Sequence, residues 1–144
     1  MILRVSVCVL LALAISICTV SPANAFWTVD GTALRDDTGY NEPVIISDGE
    51  GGAIIAWADY RSGTYPDIYV QRVDPQGMTL WTEGGVAVCT AADYQLYPTV
   101  VSDGAGGAII TWQDRRNGSF YDIYAQKIDA GGVVAWKTDG IPIC

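Results

Sequence analysis

The feature of this chain that most restricts its fold is an internal repeat. Residues 43–89 align with residues 98–144 at a constant offset of 55 without a gap, and 22 of the 47 aligned positions are identical. The best-matching phrase, SDGEGGAIIAW, returns as SDGAGGAIITW. A repeat of this kind predicts copies of one supersecondary unit that bury their apolar faces against each other. We therefore predict two full repeats, over residues 43–97 and 98–144.

A shorter copy precedes the two full repeats. The phrase WTVDGTALR, which begins at Trp27, resembles WKTDGIPIC, which begins at Trp136 in the last part of the second repeat. We therefore predict that residues 26–42 form a partial repeat, which supplies one outer strand and a linker.

The N terminus has the pattern of a secretory signal peptide. Arg4 gives a positive start, residues 5–20 form an apolar run, and SPANA supplies the small residues Ala23 and Ala25 that signal peptidase recognises. The run is short for a membrane span of about 20 residues, and no charged stop follows it. We predict that residues 1–25 are removed and that the mature chain is secreted, displayed at the cell surface or held in the periplasm.

Composition excludes several classes of function. Without the predicted signal peptide, the chain keeps seven of its eight Lys and Arg residues and all 16 acidic residues, so its formal charge is −9. A surface of this sign repels phosphate backbones and anionic membranes, and we expect no nucleic-acid partner. The chain contains no histidine, which excludes serine–histidine and cysteine–histidine catalysis within it.

Two cysteines remain after the signal peptide, Cys89 and Cys144, and they occupy the same position in the two repeats. Export would permit a disulfide. Equivalent positions in adjacent repeats are related by a rigid rotation, and they usually lie farther apart than the Cα distance of about 7 Å that a disulfide tolerates. We expect both cysteines to be unpaired and buried as small apolar side chains.

Each repeat has the pattern of four short β-strands. β-Branched and alternating stretches are separated by Gly-rich turns, and the D-G-x-G-G phrase is typical of a tight hairpin. We place the fourth strand at Trp81 and Trp136, followed by a bend and the VAVC and IPIC segments. The first three strands are predicted at Val44–Ser47, 53–58 and Asp67–Val73, with copies at 99–102, 108–113 and Asp122–Ile128.

The predicted fold is all-β, with four-stranded antiparallel blades of a β-propeller. The second strand of each repeat is apolar on both faces, so each sheet needs a neighbour on each side, and radially stacked sheets supply one. An immunoglobulin-like sandwich is the alternative, but it needs about seven strands in two unlike sheets. Two full repeats plus one extra strand make an incomplete ring, because propellers have about four to eight blades. We favour the opening of a longer propeller over a short chain that must self-associate.

Several phrases resemble a known type of repeat. SDGxGGAIIxWxDxR is followed by DIYxQ, a tryptophan and a final G(V/I)x(V/I)C. These phrases are similar to the tandem repeats of secreted bacterial β-propeller proteins with a sialidase-like fold, most of them uncharacterised. The resemblance covers residues 27–144 and implies the fold and an extracellular location, but no catalytic residue. It departs from the S-x-D-x-G-x-x-W Asp-box of true sialidases, because Ser and Asp are adjacent here and the tryptophan comes ten residues after the serine.

One rim of the predicted propeller collects the polar residues. The loops after the second and fourth strands share this rim, and their acids, tyrosines and arginines could bind a polar ligand such as a glycan. Because the Asp and Arg positions recur in both repeats, we favour salt bridges and turn caps for them over ligand contact. The candidate ligand-binding residues are Asp59, Tyr60, Arg61, Asp67, Tyr94, Asp114, Arg116 and Asp122.

The tryptophans and the loop carboxylates raise two further points. Asp59 and Asp67, with Asn117, could offer oxygen ligands to calcium, but the D-x-D-x-D-G spacing is absent and each loop carries an arginine, so we predict no metal and no other cofactor. The tryptophans that recur at matching positions are predicted to be structural and to lie in the core between blades: Trp57, Trp81, Trp112 and Trp136.

Two function classes follow from these observations. The first, which we favour, is a non-catalytic module that binds or scaffolds extracellular glycan or protein. The second is part of a sialidase-like or other glycoside-active enzyme whose catalytic carboxylates lie in other blades.

Overall fold

The computed structural model describes residues 31–34 and 42–144. The predicted signal peptide and most of the predicted partial repeat lie outside the described residues. No helix that could span a membrane occurs in the described part of the chain. This part contains the strands β1 (Val44–Ser47), β2 (Ala53–Asp59), β3 (Asp67–Val73), β4 (Val86–Cys89), β5 (Gln95–Ser102), β6 (Ala108–Asp114), β7 (Asp122–Ile128) and β8 (Ile141–Pro142).

The strands form two antiparallel sheets in chain order. Sheet 1 has the order β1-β2-β3-β4, and sheet 2 has the order β5-β6-β7-β8. The registers correspond, since Trp57 lies opposite Tyr69 in sheet 1 and Trp112 lies opposite Tyr124 in sheet 2. Two copies of one sequence thus form two copies of one four-stranded unit. This confirms the predicted all-β class and the predicted antiparallel four-stranded sheets.

The fourth strand does not lie where we predicted it. Trp81 and Trp136 precede strands β4 and β8 and belong to neither. Their backbone N–H groups donate to the side-chain Oε1 of Gln71 and Gln126, each at 3.0 Å. The prediction was wrong because the side chain of a buried glutamine in β3 or β7, and not the backbone of that strand, binds the backbone at these tryptophans.

Strand β5 begins earlier than the predicted position at Thr99. It starts at Gln95 and pairs with β6 through a register shift between Leu96 and Thr99. Tyr97 inside the shift has a φ of 53°, the left-handed conformation that accompanies an irregular strand. Pro98, the first residue of the predicted second repeat, lies within the irregular part of this strand.

The D-G-x-G-G phrase forms the hairpin between the first two strands of each sheet, as predicted. In sheet 1, Asp48 Oδ1 accepts hydrogen bonds from the N–H groups of Glu50 and Gly52, both at 2.8 Å. Gly49 and Gly51 have φ values of 83° and 89°. A side chain would strain this conformation, which explains why both copies of the phrase keep glycine there.

The core lies between the two sheets. Ile54 from sheet 1 and Ile110 and Trp112 from sheet 2 belong to one buried cluster, and β5 runs along β1, β2 and β3. Trp81 links the sheets directly, because its Nε1 donates to the Ala130 carbonyl at 3.1 Å. The two sheets therefore share one core, and each repeat contributes one face to it.

Candidate functional site

The W-x-D-x-R motif after the second strand of each sheet forms a closed hydrogen-bond network. In sheet 1, Asp59 Oδ2 accepts hydrogen bonds from Trp57 Nε1 at 2.8 Å and from Arg61 Nη2 at 2.5 Å. Arg61 Nη2 also donates to the Gly84 carbonyl at 2.7 Å, and the guanidinium lies 3.6 Å from the centroid of the Tyr69 ring. The arginine thus joins the loop after β2 to the turn before β4.

Sheet 2 repeats this network with little change. Asp114 Oδ2 accepts from Trp112 Nε1 at 2.8 Å and from Arg116 Nη2 at 2.5 Å. The arginine donates to the Asp139 carbonyl at 2.8 Å and lies 3.9 Å from the centroid of the Tyr124 ring. Two independent copies of the network indicate that the motif holds the loops of the fold together.

Both aspartate side chains of the motif are fully buried. Burial alone would raise the pKa of Asp59, but hydrogen bonds from Arg61 and Trp57 outweigh it and lower the pKa below its ordinary value. The same balance, with Arg116 and Trp112 as donors, lowers the pKa of Asp114. These carboxylates are therefore charged and bind neighbouring side chains inside the protein.

A cleft of about 430 Å³ opens at the rim of sheet 1. It lies between the loop after β2 and the connection from β4 to β5, the two loops expected to share a rim. Asp67 and Tyr69 line it from β3, and the other lining residues are Arg61, Ser62, Thr64, Tyr65, Thr90, Ala91, Ala92 and Asp93. This is a typical volume for a small-molecule site.

Two tyrosine rings meet beside this cleft. The Tyr65 and Tyr94 ring centroids are 4.8 Å apart, with an angle of 65° between the ring planes. Asp93 has a φ of 68°, so the chain turns sharply just before Tyr94. Arg115 of sheet 2 donates its backbone N–H to the Tyr94 carbonyl at 2.9 Å. The aromatic pair is therefore held by both sheets.

Asp67 is the buried carboxyl group of the cleft. Burial raises the pKa of Asp67 above its ordinary value, and the neighbouring Asp59 carboxylate raises it further. Ser62 makes a side-chain hydrogen bond to Asp67, as the aligned Asn117 Nδ2 donates to the equivalent Asp122 at 2.7 Å. The two carboxyl groups therefore differ in burial, since Asp67 is buried and Asp122 is partly exposed.

The corresponding loop of the second repeat is open. Phe120, which aligns with Tyr65, is 81% exposed, and Tyr121 beside it is also exposed. Among the described residues, no other aromatic ring packs against Phe120. The aromatic pair therefore distinguishes the first loop from its copy.

The structure separates the predicted candidate residues into three groups. Arg61 and Asp67 line the cleft, and Tyr94 packs against its wall through Tyr65. Tyr60 is partly exposed and lies outside the lining, whereas Asp59, Asp114, Arg116 and Asp122 take part in the networks described above.

The sequence placed both loops on this rim but did not single out the small residues of the cleft. Ser62, Thr64 and residues 90–92 carry no distinctive chemistry, and only the close approach of two loops makes them lining residues. Within the described parts of the chain, no group of three or more His, Cys, Asp or Glu side chains is arranged to hold a metal.

The two cysteines are both free thiols, but their surroundings differ. Cys89 is buried between the sheets, where its Sγ lies 3.1 Å from Arg116 Nη2, and burial raises the pKa of the thiol to about 12. Cys144 is exposed. The expectation that both would be buried was wrong for Cys144, because sheet 2 covers Cys89 while no described residue covers Cys144 in the same way.

One of the two aligned tryptophan pairs, Trp81 and Trp136, shows the same asymmetry. Trp57, Trp81 and Trp112 are buried, whereas Trp136 is 37% exposed.

Comparisons with protein families, with curated proteins and with solved structures give no match for this chain.

Proposed function

We propose that this chain is an exported β-propeller repeat protein, or the N-terminal part of one, that acts as a non-catalytic binding module. Its ligand is a neutral, hydroxyl-rich molecule of the extracellular space, such as a glycan, and its binding site is the rim cleft beside Tyr65 and Tyr94. The observation that carries the proposal is this aromatic pair next to the buried carboxyl group of Asp67.

The propeller part of the proposal is supported by the way the sheets repeat. Each sheet has four antiparallel strands in chain order, and the two sheets pack face to face over one core. Radial stacking of such sheets is the propeller architecture. Each pair of adjacent blades would repeat the contact seen here between sheet 1 and sheet 2.

The chemistry of the cleft suggests the class of ligand. Tyrosine rings offer flat apolar surface to the C–H faces of a sugar, and the Asp67 carboxyl can bind a hydroxyl group. The Arg61 guanidinium is already bound to Asp59 and to the Gly84 carbonyl. The chain also has a formal charge of −8. A neutral sugar therefore fits the cleft better than an anionic one.

Titration with neutral oligosaccharides would test the ligand. We would add gluco-, xylo-, galacto- and chito-oligosaccharides to the purified chain and follow tyrosine and tryptophan fluorescence, with calorimetry for any saturable response. Tyr65→Ala and Tyr94→Ala should each weaken binding about tenfold or more, because aromatic anchors dominate such sites. The matched control is Phe120→Ala, which changes the equivalent loop position and should leave the affinity unchanged.

Two results would contradict the ligand proposal. One is the absence of saturable binding for every oligosaccharide in the set. The other is binding that Tyr65→Ala leaves intact, since the ligand would then occupy a different surface.

The glycoside-active enzyme remains the alternative, and one observation bears on it. Asp59 and Asp67 face each other in the β2–β3 register, and their pKa values shift in opposite directions, as in an acid–base pair. However, Trp57 and Arg61 bind the Asp59 carboxylate inside the protein. Asp67 would have to act without Asp59 as its catalytic partner, and this favours a binding module over an enzyme.

Hydrolysis assays separate the two functions. The enzyme proposal expects release of nitrophenol from a nitrophenyl glycoside, and loss of that activity in Asp67→Asn. If the chain is a non-catalytic binding module, the glycoside should be hydrolysed no faster than in buffer alone.

Export has its own test. Expression of the full chain in a bacterial host, followed by N-terminal sequencing of the exported product, should give Phe26 as the first residue. An exported product that starts at Met1 would contradict the signal peptide.

A further inference from the structure

The two sheets leave opposite faces uncovered. We call the faces that meet between the sheets inner and the other two outer. On the outer face of sheet 1, Ile45 is 68% exposed, whereas the aligned Val100 on the inner face of sheet 2 is 9% exposed. The tryptophans show the reverse order, with Trp81 at 8% and Trp136 at 37%. Aligned residues thus differ in exposure because each sheet is covered on a different side.

The outer face of sheet 2 is a copy of the inner face of sheet 1. Val101 lies opposite Ile109 in the β5–β6 register, as Ile46 lies opposite Ile54 in the β1–β2 register. Ile54 is fully buried and Ile46 packs against the core, while Val101 is 57% exposed and Ile109 is partly exposed. Sheet 2 therefore presents the apolar surface that sheet 1 uses to bind sheet 2.

The outer face of sheet 1 is a copy of the inner face of sheet 2. Ile45 lies opposite Ile55, as Val100 lies opposite Ile110. Ile110 is fully buried by sheet 1, whereas Ile55 remains partly exposed. One chain therefore carries both halves of an interface that it already forms internally.

We propose that the outer face of sheet 2 binds the outer face of sheet 1 of a second copy of this chain. The contact is head to tail and reproduces the internal contact between the sheets, with Val101 and Ile109 of one copy against Ile45 and Ile55 of the next. The proposal rests on the propeller part of the proposed function, but not on the ligand.

A head-to-tail contact either closes into a ring or continues as a filament. The described part of each copy contributes two four-stranded sheets. Because propellers close with about four to eight blades, a closed ring contains two, three or four copies.

The first experiment measures the mass of the assembly. Size-exclusion chromatography with light scattering on the purified full chain should give one species with two, three or four times the monomer mass for a ring, or a broad distribution of larger masses for a filament. A folded monomer at every protein concentration tested would overturn the proposal, because the faces would then be covered by something other than a second copy.

The second experiment tests the head-to-tail arrangement with one variant on each face. Val101→Asp blocks the outer face of sheet 2, and Ile45→Asp blocks the outer face of sheet 1, so each variant alone should be monomeric. An equimolar mixture still has one unblocked face of each kind and should form a 1:1 heterodimer that grows no further. If Ile45→Asp keeps the wild-type assembly while Val101→Asp loses it, like faces are meeting, and the proposal is overturned.

The controls keep this test independent of folding. Val133 is 62% exposed, and the aligned Met78 is 58% exposed, so this position lies outside both faces; Val133→Asp should assemble like the wild type. Far-UV circular dichroism must show a folded β-protein for every variant. Ile45→Thr and Val101→Thr keep the β-branched shape and replace the aspartate variants if those unfold.

The ligand and assembly proposals can fail separately. Tyr65→Ala lies in the rim cleft and should leave the assembly unchanged. A monomer that binds an oligosaccharide would overturn only the assembly proposal. A ring that binds no oligosaccharide would overturn only the ligand proposal.

Discussion

Replacing Trp112 with alanine tests whether the core between the sheets holds this fold together. The side chain is 1% exposed, and its Nε1 donates to the buried Asp114 carboxylate at 2.8 Å. Truncating a buried tryptophan to alanine costs about 3–5 kcal/mol, and loss of a donor to a buried charge moves the cost to the upper end of that range. We expect the free energy of unfolding to fall by about 5 kcal/mol.

Trp112→Phe separates the two parts of this cost. Phenylalanine keeps an apolar ring in the core but removes the N–H donor, so we expect a loss of about 1–3 kcal/mol. Phe120→Ala, at an exposed rim position, should change stability by less than about 0.5 kcal/mol. Urea unfolding at pH 7, followed by far-UV circular dichroism, measures all three variants.

A loss below about 1 kcal/mol for Trp112→Ala would mean that the indole is not buried between the sheets in solution. A loss for Trp112→Phe that equals that of Trp112→Ala would instead assign the whole effect to the hydrogen bond.

The remaining predictions concern pH, one glycine and the thiols. The pKa of Asp114 lies below its ordinary value of 3.8 in the folded chain, so its charge stabilises the fold above about pH 4 and this contribution is lost as the pH falls through the folded pKa. Urea midpoints from pH 7 down to acid should therefore decline below about pH 4, and the decline should be smaller in Asp114→Asn. Gly140→Ala would place a Cβ 2.5 Å from the Trp112 ring, whereas Gly118→Ala meets nothing within 4 Å at a similar positive φ. Urea melts should therefore show a larger loss for Gly140→Ala, by about 1–3 kcal/mol; equal losses would contradict the contact. A thiol reagent at pH 8 should label exposed Cys144 within seconds and buried Cys89 only after unfolding. Mass spectrometry shows which cysteine is labelled first, and earlier labelling of Cys89 would contradict the prediction.

Most of the correct predictions of local structure came from comparing the two copies of the repeat. Hairpin glycines such as Gly49 are readable from sequence because a positive φ excludes most other residues. Three strands per repeat were readable because side chains alternate between two faces. The fourth strand was misplaced, because a tryptophan in a β-like run looks the same in sequence whether a strand or the Gln71 side chain binds its backbone.

The candidate site depended more on tertiary structure. The acidic and aromatic character of the rim was visible in the sequence, and the recurrence of Asp59 and Asp114 already favoured a structural role. The pairing of Tyr65 with Tyr94, and the difference between Asp67 and its copy Asp122, came only from loops that are distant in sequence and close in space.

The amino-acid sequence was enough to predict the all-β class, the two equivalent units and the turns between their strands, because these depend on backbone geometry and on the alternation of apolar residues. The packing between the sheets sets the burial of repeated residues such as Trp81 and Trp136, one of which is buried and the other exposed. Cys89 and Cys144 are the same residue at the same repeat position, yet one is covered by a neighbouring sheet and the other is exposed. Burial is a property of what packs against a residue, and two identical sequence positions differ in it as soon as their neighbours differ.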